Sequence, residues 1–182
     1  MEMIETSRLT IRNFRPEDWR DLHEMIVQYQ ASEVAQYDHK WPTSEDEVKG
    51  VAEWFAGGDT YLGVCLQETG KLIGLFALNP KEEQNSRTFG FGYVFHPGYR
   101  GKGYATEAGR AVLDYAFRLL AADGLSTGTA EANEPSCRLL GRLGFRESGR
   151  GTGSFRERED GEPIEFATLS FALSRDEWLG KV

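Results

Sequence analysis

Little in this chain could cross-link it or hold a metal. Its 182 residues include two cysteines and three histidines. Cys65 and Cys137 stand far apart in apolar or helical settings, which suits free thiols in a reducing compartment rather than a disulfide framework. No ligand spacing joins them to His23, His39 or His96, so no metal site is expected. Long apolar runs are missing too. Nothing approaches a membrane span, and the opening MEMIETSRLTIRNF lacks the apolar segment of a signal peptide. Positive charge is scarce: 21 Lys and Arg against 29 Asp and Glu leave a net charge of −8, which argues against non-specific nucleic-acid binding. The expectation is a cytoplasmic protein with neither nucleic acid nor membrane as a partner. The length suffices for one domain, residues 1–182, and composition nowhere shifts sharply enough to mark a linker.

What is present is a regular alternation of elements. RLTIRNF places Leu9, Ile11 and Phe14 as a first strand, and Pro16 opens a helix with Trp19, Leu22 and Ile26 on one stripe. SEDEVKGVAEWF starts on a capping box, Ser44 to Glu47, and stops at Gly57-Gly58. TYLGVCLQ and KLIGLFALN read as a hairpin, and TFGFGYVF as a fourth strand. A helix from Tyr104 to about Leu120 follows, then LSTGTAEA as a fifth strand and a short helix begun by Asn133 and Pro135 and ended before Gly144. The last strands are expected at Phe145 to Gly149 and Ile164 to Leu173, with the charged, glycine-rich GRGTGSFRERED between them. The order is that of an α+β mixed sheet carrying helices.

The chemistry concentrates in HPGYRGKGYATEAGR, residues 96–110, between the fourth strand and the helix. A helix start offers unpaired N–H groups and the positive end of its dipole, both favourable to an anion. Gly101 and Gly103 let an oxygen approach the backbone. Arg100 and Lys102 add charge with no acid between Phe89 and Thr106 to cancel it. The corner predicts a phosphate or pyrophosphate site, against a tight turn with solvated cations as the alternative. It is not a Walker loop, since Gly103 follows Lys102, and it misses the dinucleotide fingerprint, since Thr106 stands where glycine is needed.

Arg100-x-x-Gly103-x-Ala105 resembles the acyl-CoA pyrophosphate loop of the GNAT N-acetyltransferases. NEPSCRLLGRLGF is similar to that family's Asn-x-x-Ser…Leu-Gly-Phe segment. ETSRLTIRNFRPEDW and DGEPIEFATLSFALSRDEW resemble the branch that includes ribosomal-protein N-terminal acetyltransferases. The resemblance implies an α+β GNAT domain whose mixed, mostly antiparallel sheet is splayed at strands 4 and 5, with helices on both faces. It implies acetyl-CoA as acyl donor, no metal, and direct transfer to a primary amine. Backbone groups of Val94 and Phe95 would hold the pantetheine arm. Amides of Arg100, Gly101, Lys102, Gly103, Tyr104 and Ala105 would hold the pyrophosphate, and Asn133 and Ser136 would face the thiol. Arg138 would reach the adenosine phosphates or simply form a surface ion pair.

Amine acetylation needs a neutral amine, donors for the oxyanion and a proton for the departing thiolate. The branch's acid-apolar-Gly-Tyr pattern on the fourth strand puts Gly90 where many relatives carry a glutamate base. Leu140 stands where many carry a tyrosine acid. Ser136 is then the candidate to serve the sulfur, or it caps the short helix. Glu131 is the nearest replacement base in sequence, although a solvated strand glutamate is the commoner meaning. Glu107 reads as a helix-dipole partner and His96 as a turn residue. Without the glutamate, an α-amine, partly neutral near pH 8, is favoured over a lysine-type amine. The acceptor is a protein N-terminus or a small amine such as a polyamine, an amino acid or an antibiotic. A CoA-binding module without turnover is the alternative of another class. The acceptor site is expected among residues 29–43, 80–87 and 150–162, with His39 and Trp41 in the first of these, and the protein is a monomer or a homodimer.

Overall fold

The computed structural model describes residues 3–81, 86–158 and 160–180. In chain order the elements are β1 (Ile4–Glu5), β2 (Leu9–Asn13), α1 (Trp19–Gln30), α2 (Glu45–Ala56), β3 (Tyr61–Leu66), β4 (Leu72–Pro80), β5 (Thr88–Phe95), α3 (Tyr104–Asp114), β6 (Gly124–Ala130), α4 (Glu134–Leu143), β7 (Arg146–Glu157), β8 (Pro163–Ser174) and α5 (Arg175–Leu179). The strands form one eight-stranded sheet in the order β1-β2-β3-β4-β5-β6-β8-β7. Every described pairing is antiparallel except β5 with β6.

Alternation along the central strands builds two cores. On β4, Ile73, Phe76 and Leu78 join one face while Leu72 and Leu75 join the other. The first face is covered by α3 and α4 through Ala108, Val112, Leu113, Leu139, Leu140 and Leu143. The second is covered by α1 and α2 through Leu22, Met25, Ile26, Val48, Ala52 and Phe55. Helices thus lie on both faces. Leu140 is fully buried in the first core, so packing alone accounts for leucine there.

The sheet opens at its middle. β5 and β6 pair through Thr88–Gly124, Phe89–Leu125 and Gly90–Ser126, and there the pairing ends. β5 continues to Phe95 held only by β4, and β6 continues to Ala130 held only by β8. This is the expected splay.

Several expectations are corrected. The segment between the last two strands is itself strand: Gly149 to Ser154 pairs with β8 from Ser170 to Glu165. Glycine at every second place from Gly149 to Gly153 hid the alternation that marks a strand. A two-residue edge strand, β1, precedes the first strand read from the sequence. Ser44 is the N-cap of α2, but its hydroxyl bonds the Glu47 carboxylate instead of a backbone N–H. The long helix ends in a π-turn, Tyr115–Leu119. No described helix is long and apolar enough to cross a membrane.

Gly74 on β4 sets the position of Phe95. A Cβ at Gly74 would stand 2.5 Å from the Phe95 ring, which packs edge-on against Phe76 at 5.6 Å. Gly74→Ala is expected to displace that ring and cost about 1–3 kcal/mol in urea unfolding, as overpacking does. An unchanged midpoint would show that the ring moves freely.

Candidate active site

The splay opens into a cavity of about 1430 Å³ that runs from one face of the sheet to the other. On the α3–α4 side it is lined by Tyr93 and Phe95 of β5, by Asn133, Ser136 and Leu139, and by the corner from Arg100 to Glu107 apart from Lys102. On the α1–α2 side it is lined by Leu75, Ala77, Gly92 and Val94, with Tyr29, Asp38, His39 and Trp41 beyond. Thr127 to Ala130 of β6 form the opposite wall.

The glycine corner is built as an anion cradle. Gly101 and Gly103 adopt φ of 76° and 82°, the left-handed region that L side chains avoid. Gly103 is the N-cap of α3 and its carbonyl accepts from Thr106 N–H and Glu107 N–H, so among the first amides Tyr104 and Ala105 have no helical acceptor of their own. Before them, the His96 Nδ1 accepts from Gly98 N–H at 3.0 Å, which fixes the 3₁₀ turn Pro97–Tyr99. His96 caps that turn but is buried, and its other ring nitrogen meets Glu24 Oε1 at 3.2 Å.

A latch from the chain start secures this corner. Glu107 accepts from Thr6 Oγ1 at 2.6 Å, Ser7 Oγ at 2.9 Å, Arg8 N at 2.9 Å and Arg8 Nε at 2.8 Å. Burial alone would push the Glu107 carboxyl up, but the bonds from Thr6, Arg8 and Ser7 together outweigh it and hold it below the usual range. The stabilisation is therefore present above the ordinary carboxylate pKa and is lost as pH falls through the lowered value. Arg8 also donates to the Lys102 carbonyl at 3.0 Å and lies 4.5 Å over the Tyr104 ring. Nothing in sequence spacing connects Arg8 with a loop so far along the chain.

The backbone edge facing the gap follows from alternation. His96 N–H donates to Ile73 O and Thr88 O accepts from Lys81 N–H, both on the β4 side. Pairing direction alternates along an antiparallel strand, so Val94 also points its backbone at β4, while Tyr93 and Phe95 point theirs into the gap. Tyr93 and Phe95 thus offer backbone groups to the gap, while Val94, expected to do so, pairs with β4 and lends its side chain to the cavity wall.

Ser136 and Tyr93 meet across the gap, with hydroxyl oxygens 2.5 Å apart. Burial pushes the Tyr93 phenol up to about 12, with the Ser136 contact working against it. The capping alternative for Ser136 is not what its hydroxyl does: Asn133 caps α4, its side-chain oxygen accepting from Ser136 N–H at 3.4 Å. Tyr93 was missed in the sequence because it reads as one more aromatic of the strand beside Phe91 and Phe95.

Other candidates lie elsewhere. Glu131 does not line the cavity; it is solvent-exposed and pairs with Arg150 at 2.9 Å. Arg138 pairs with Glu134 at 2.7 Å on the exposed face of α4. The Lys102 ammonium lies 5.3 Å from the Tyr99 ring centre. Of the segments expected to wall the acceptor, residues 82–85 and 159 lie outside the described residues, while Phe155 of β7 does line the cavity, beside Phe166 of β8, which lies beyond those segments. Among the described residues no cluster of His, Cys, Asp and Glu could hold a metal ion.

A sequence profile of acetyltransferase (GNAT) domains matches residues 8–146. The chain belongs to the GNAT acetyltransferase family. It is 30% identical over 147 residues to the uncharacterized N-acetyltransferase YnaD of Bacillus subtilis, covering 80% of this chain and 84% of that one. The fold superposes on a ribosomal-protein-S5-alanine acetyltransferase from Vibrio fischeri with a TM-score of 0.81 at 17% identity, covering 98% and 99% of the two chains. It also superposes on a spermidine N-acetyltransferase from Vibrio cholerae, solved with CoA and spermine, with a TM-score of 0.76 at 21% identity, covering 96% and 99%. One GNAT scaffold thus serves neighbours with a protein acceptor and with a polyamine.

Two substitutions test whether the corner holds a pyrophosphate. Gly103→Ala forces a left-handed alanine, at about 1–2 kcal/mol, 3.4 Å from Arg8 Nη2. Acetyl-CoA affinity is expected to fall about tenfold by calorimetry. Arg8→Ala is expected to act in the same direction by releasing the latch. Unchanged affinity in both would remove the pyrophosphate from this corner.

Proposed function

We propose that the protein transfers an acetyl group from acetyl-CoA to a primary amine by direct attack within the β5–β6 gap. The observation that carries this is the hydroxyl pair Tyr93–Ser136 inside a cavity that joins an anion cradle to the opposite face of the sheet. Amides of Arg100 to Ala105 would hold the pyrophosphate, and backbone groups of Tyr93 and Phe95 the pantetheine. Acetyl-CoA supplies an activated thioester.

The residues divide the chemistry by side. Backbone N–H groups on the open edge of β5 are placed to receive a developing oxyanion. The Ser136 hydroxyl can give its proton to the departing sulfur while taking one from Tyr93, and the Tyr93 phenol, raised to about 12, regains its proton from water, which also takes the proton shed by the amine nitrogen. Gly90 faces the α1–α2 side, as Gly92 and Val94 do, where the amine would enter. It offers no base there, and neither does Glu131 from its outward ion pair. The amine's own ionisation then governs the rate, and an α-amine, near pKa 8, needs the least help. A protein N-terminus and a small amine of similar basicity both meet that condition.

Ser136→Ala is expected to lower kcat about a hundredfold, within the usual span for a lost proton donor, and Tyr93→Phe to lower it less. In the wild type, turnover should rise with the neutral fraction of the amine and show no alkaline fall below about pH 10. Gly90→Glu supplies the missing carboxylate where a Cβ meets Asn79 Cβ at an ordinary 3.6 Å. It should raise kcat/KM about tenfold or more on the acid side of the profile. Turnover and pH profile unchanged in both Ser136→Ala and Tyr93→Phe would contradict the proton path.

A further inference from the structure

Resting on the acetyltransferase reading, we infer that Asp38 is a fixed anionic anchor for a second, non-reacting cation of the acceptor. The preferred acceptors are then amines that carry another positive nitrogen. Among the described residues, the carboxylates lining the cavity are Asp38 and Glu107. Glu107 is consumed by the latch at the far end. Asp38 stands on the α1–α2 side, where the amine enters.

Its carboxylate is held by donors from three residues. Tyr29 Oη and Trp41 Nε1 each donate to Oδ2 at 3.1 Å, and the His39 backbone N–H donates to Oδ1 at 2.7 Å. A carboxylate has about four lone-pair positions, so one remains on Oδ1. Filling it with the N–H of an ammonium completes the shell with a charge-assisted bond. The neighbouring walls are aromatic: Phe155 and Phe166 lie 5.8 Å apart, and His39 packs on Phe155 at 4.3 Å. Such faces favour a cation over a neutral group. The Arg156 guanidinium donates to the Ala35 carbonyl at 2.5 Å and to Gln30 Oε1 at 3.2 Å but keeps its charge, and with Arg100 it works against the Asp38 field at Tyr29. Arg100, Arg110 and Arg142 also line the cavity, and a pyrophosphate held at the corner would offset part of that charge.

The same geometry says which nitrogen is held. An ammonium paired with a carboxylate is stabilised as ammonium, the wrong form for attack. The nitrogen at Asp38 therefore stays charged, and a second nitrogen reaches the gap. The held charge lowers the basicity of its neighbour, which helps a site that lacks a glutamate at Gly90.

The test compares α,ω-diaminoalkanes with amino alcohols of matched length in thiol release from acetyl-CoA. In the wild type the best diamine should exceed its amino alcohol in kcat/KM by about tenfold to a hundredfold, mainly through KM. In Asp38→Asn, which keeps an acceptor for Tyr29 and Trp41, that advantage should vanish while the KM for acetyl-CoA stays the same. Equal use of diamine and amino alcohol by the wild type, a comparison that needs no variant, overturns the inference, as does an advantage that survives Asp38→Asn. A second readout is independent of turnover. In the CoA complex, butylammonium but not n-butanol should shift the Trp41 indole N–H resonance, and Asp38→Asn should abolish the shift. If butylammonium binds this way and no amine is acetylated, the cation anchor stands and the transferase reading falls. If butylammonium and n-butanol behave alike, the anchor falls whatever the turnover.

Discussion

Everything at the site depends on two strands that stop pairing. β5 and β6 share hydrogen bonds only as far as Gly90 and Ser126, and each then continues with its other neighbour. A sheet interior normally satisfies both edges of every strand. Here the inner edge of β5 is left with backbone donors and acceptors facing a cavity. An extended, amide-bearing chain is the ligand that can pair with such an edge as a strand would, and the pantetheine arm has that character. The gap also joins the two faces of the sheet, so donor and acceptor can meet inside one protein wall without sharing an entrance.

The elements around the gap hold it open from both sides. α4 enters with its N-terminus at the opening, capped by Asn133, which leaves the Ser136 hydroxyl for Tyr93. The chain start reaches across to α3 through Arg8 and Glu107, so the corner is tied to the turn between β1 and β2 and does not float on its glycines. Gly74 lets the Phe95 ring lie flat over β4. The cradle, the gap and the hydroxyl pair thus rest on contacts between segments distant in sequence, which suits a site that must keep its geometry while a long ligand enters.

The sequence made the local parts legible. Gly101 and Gly103 marked a helix start with bare backbone open to an anion, and the structure adds that both are left-handed. Asn133 and Gly144 bound a short helix, and apolar runs joined by a short turn marked the central strands. What could not be read was geometry set by pairing. The Arg8–Glu107 latch joins residues with no sequence relation, and the Tyr93–Ser136 contact exists only because α4 packs beside the gap. Glu131 is close to the short helix in sequence, yet it follows the end of β6 and its side chain turns to Arg150. β7 was concealed by its own glycines, so the aromatic wall at Phe155 was read as loop. The Asp38 cluster draws on α1 and the stretch after it, where spacing carries no code.

Amide hydrogen exchange with and without acetyl-CoA tests the central claim most directly, because it reads the open edge of β5 itself. The account predicts new protection at Tyr93 and Phe95, and at Gly101 to Ala105 of the corner, with Val94 already protected in the free protein by its pairing with β4. Protection confined to other surfaces, with Tyr93 and Phe95 exchanging as before, would contradict the placement of the acyl donor in the gap.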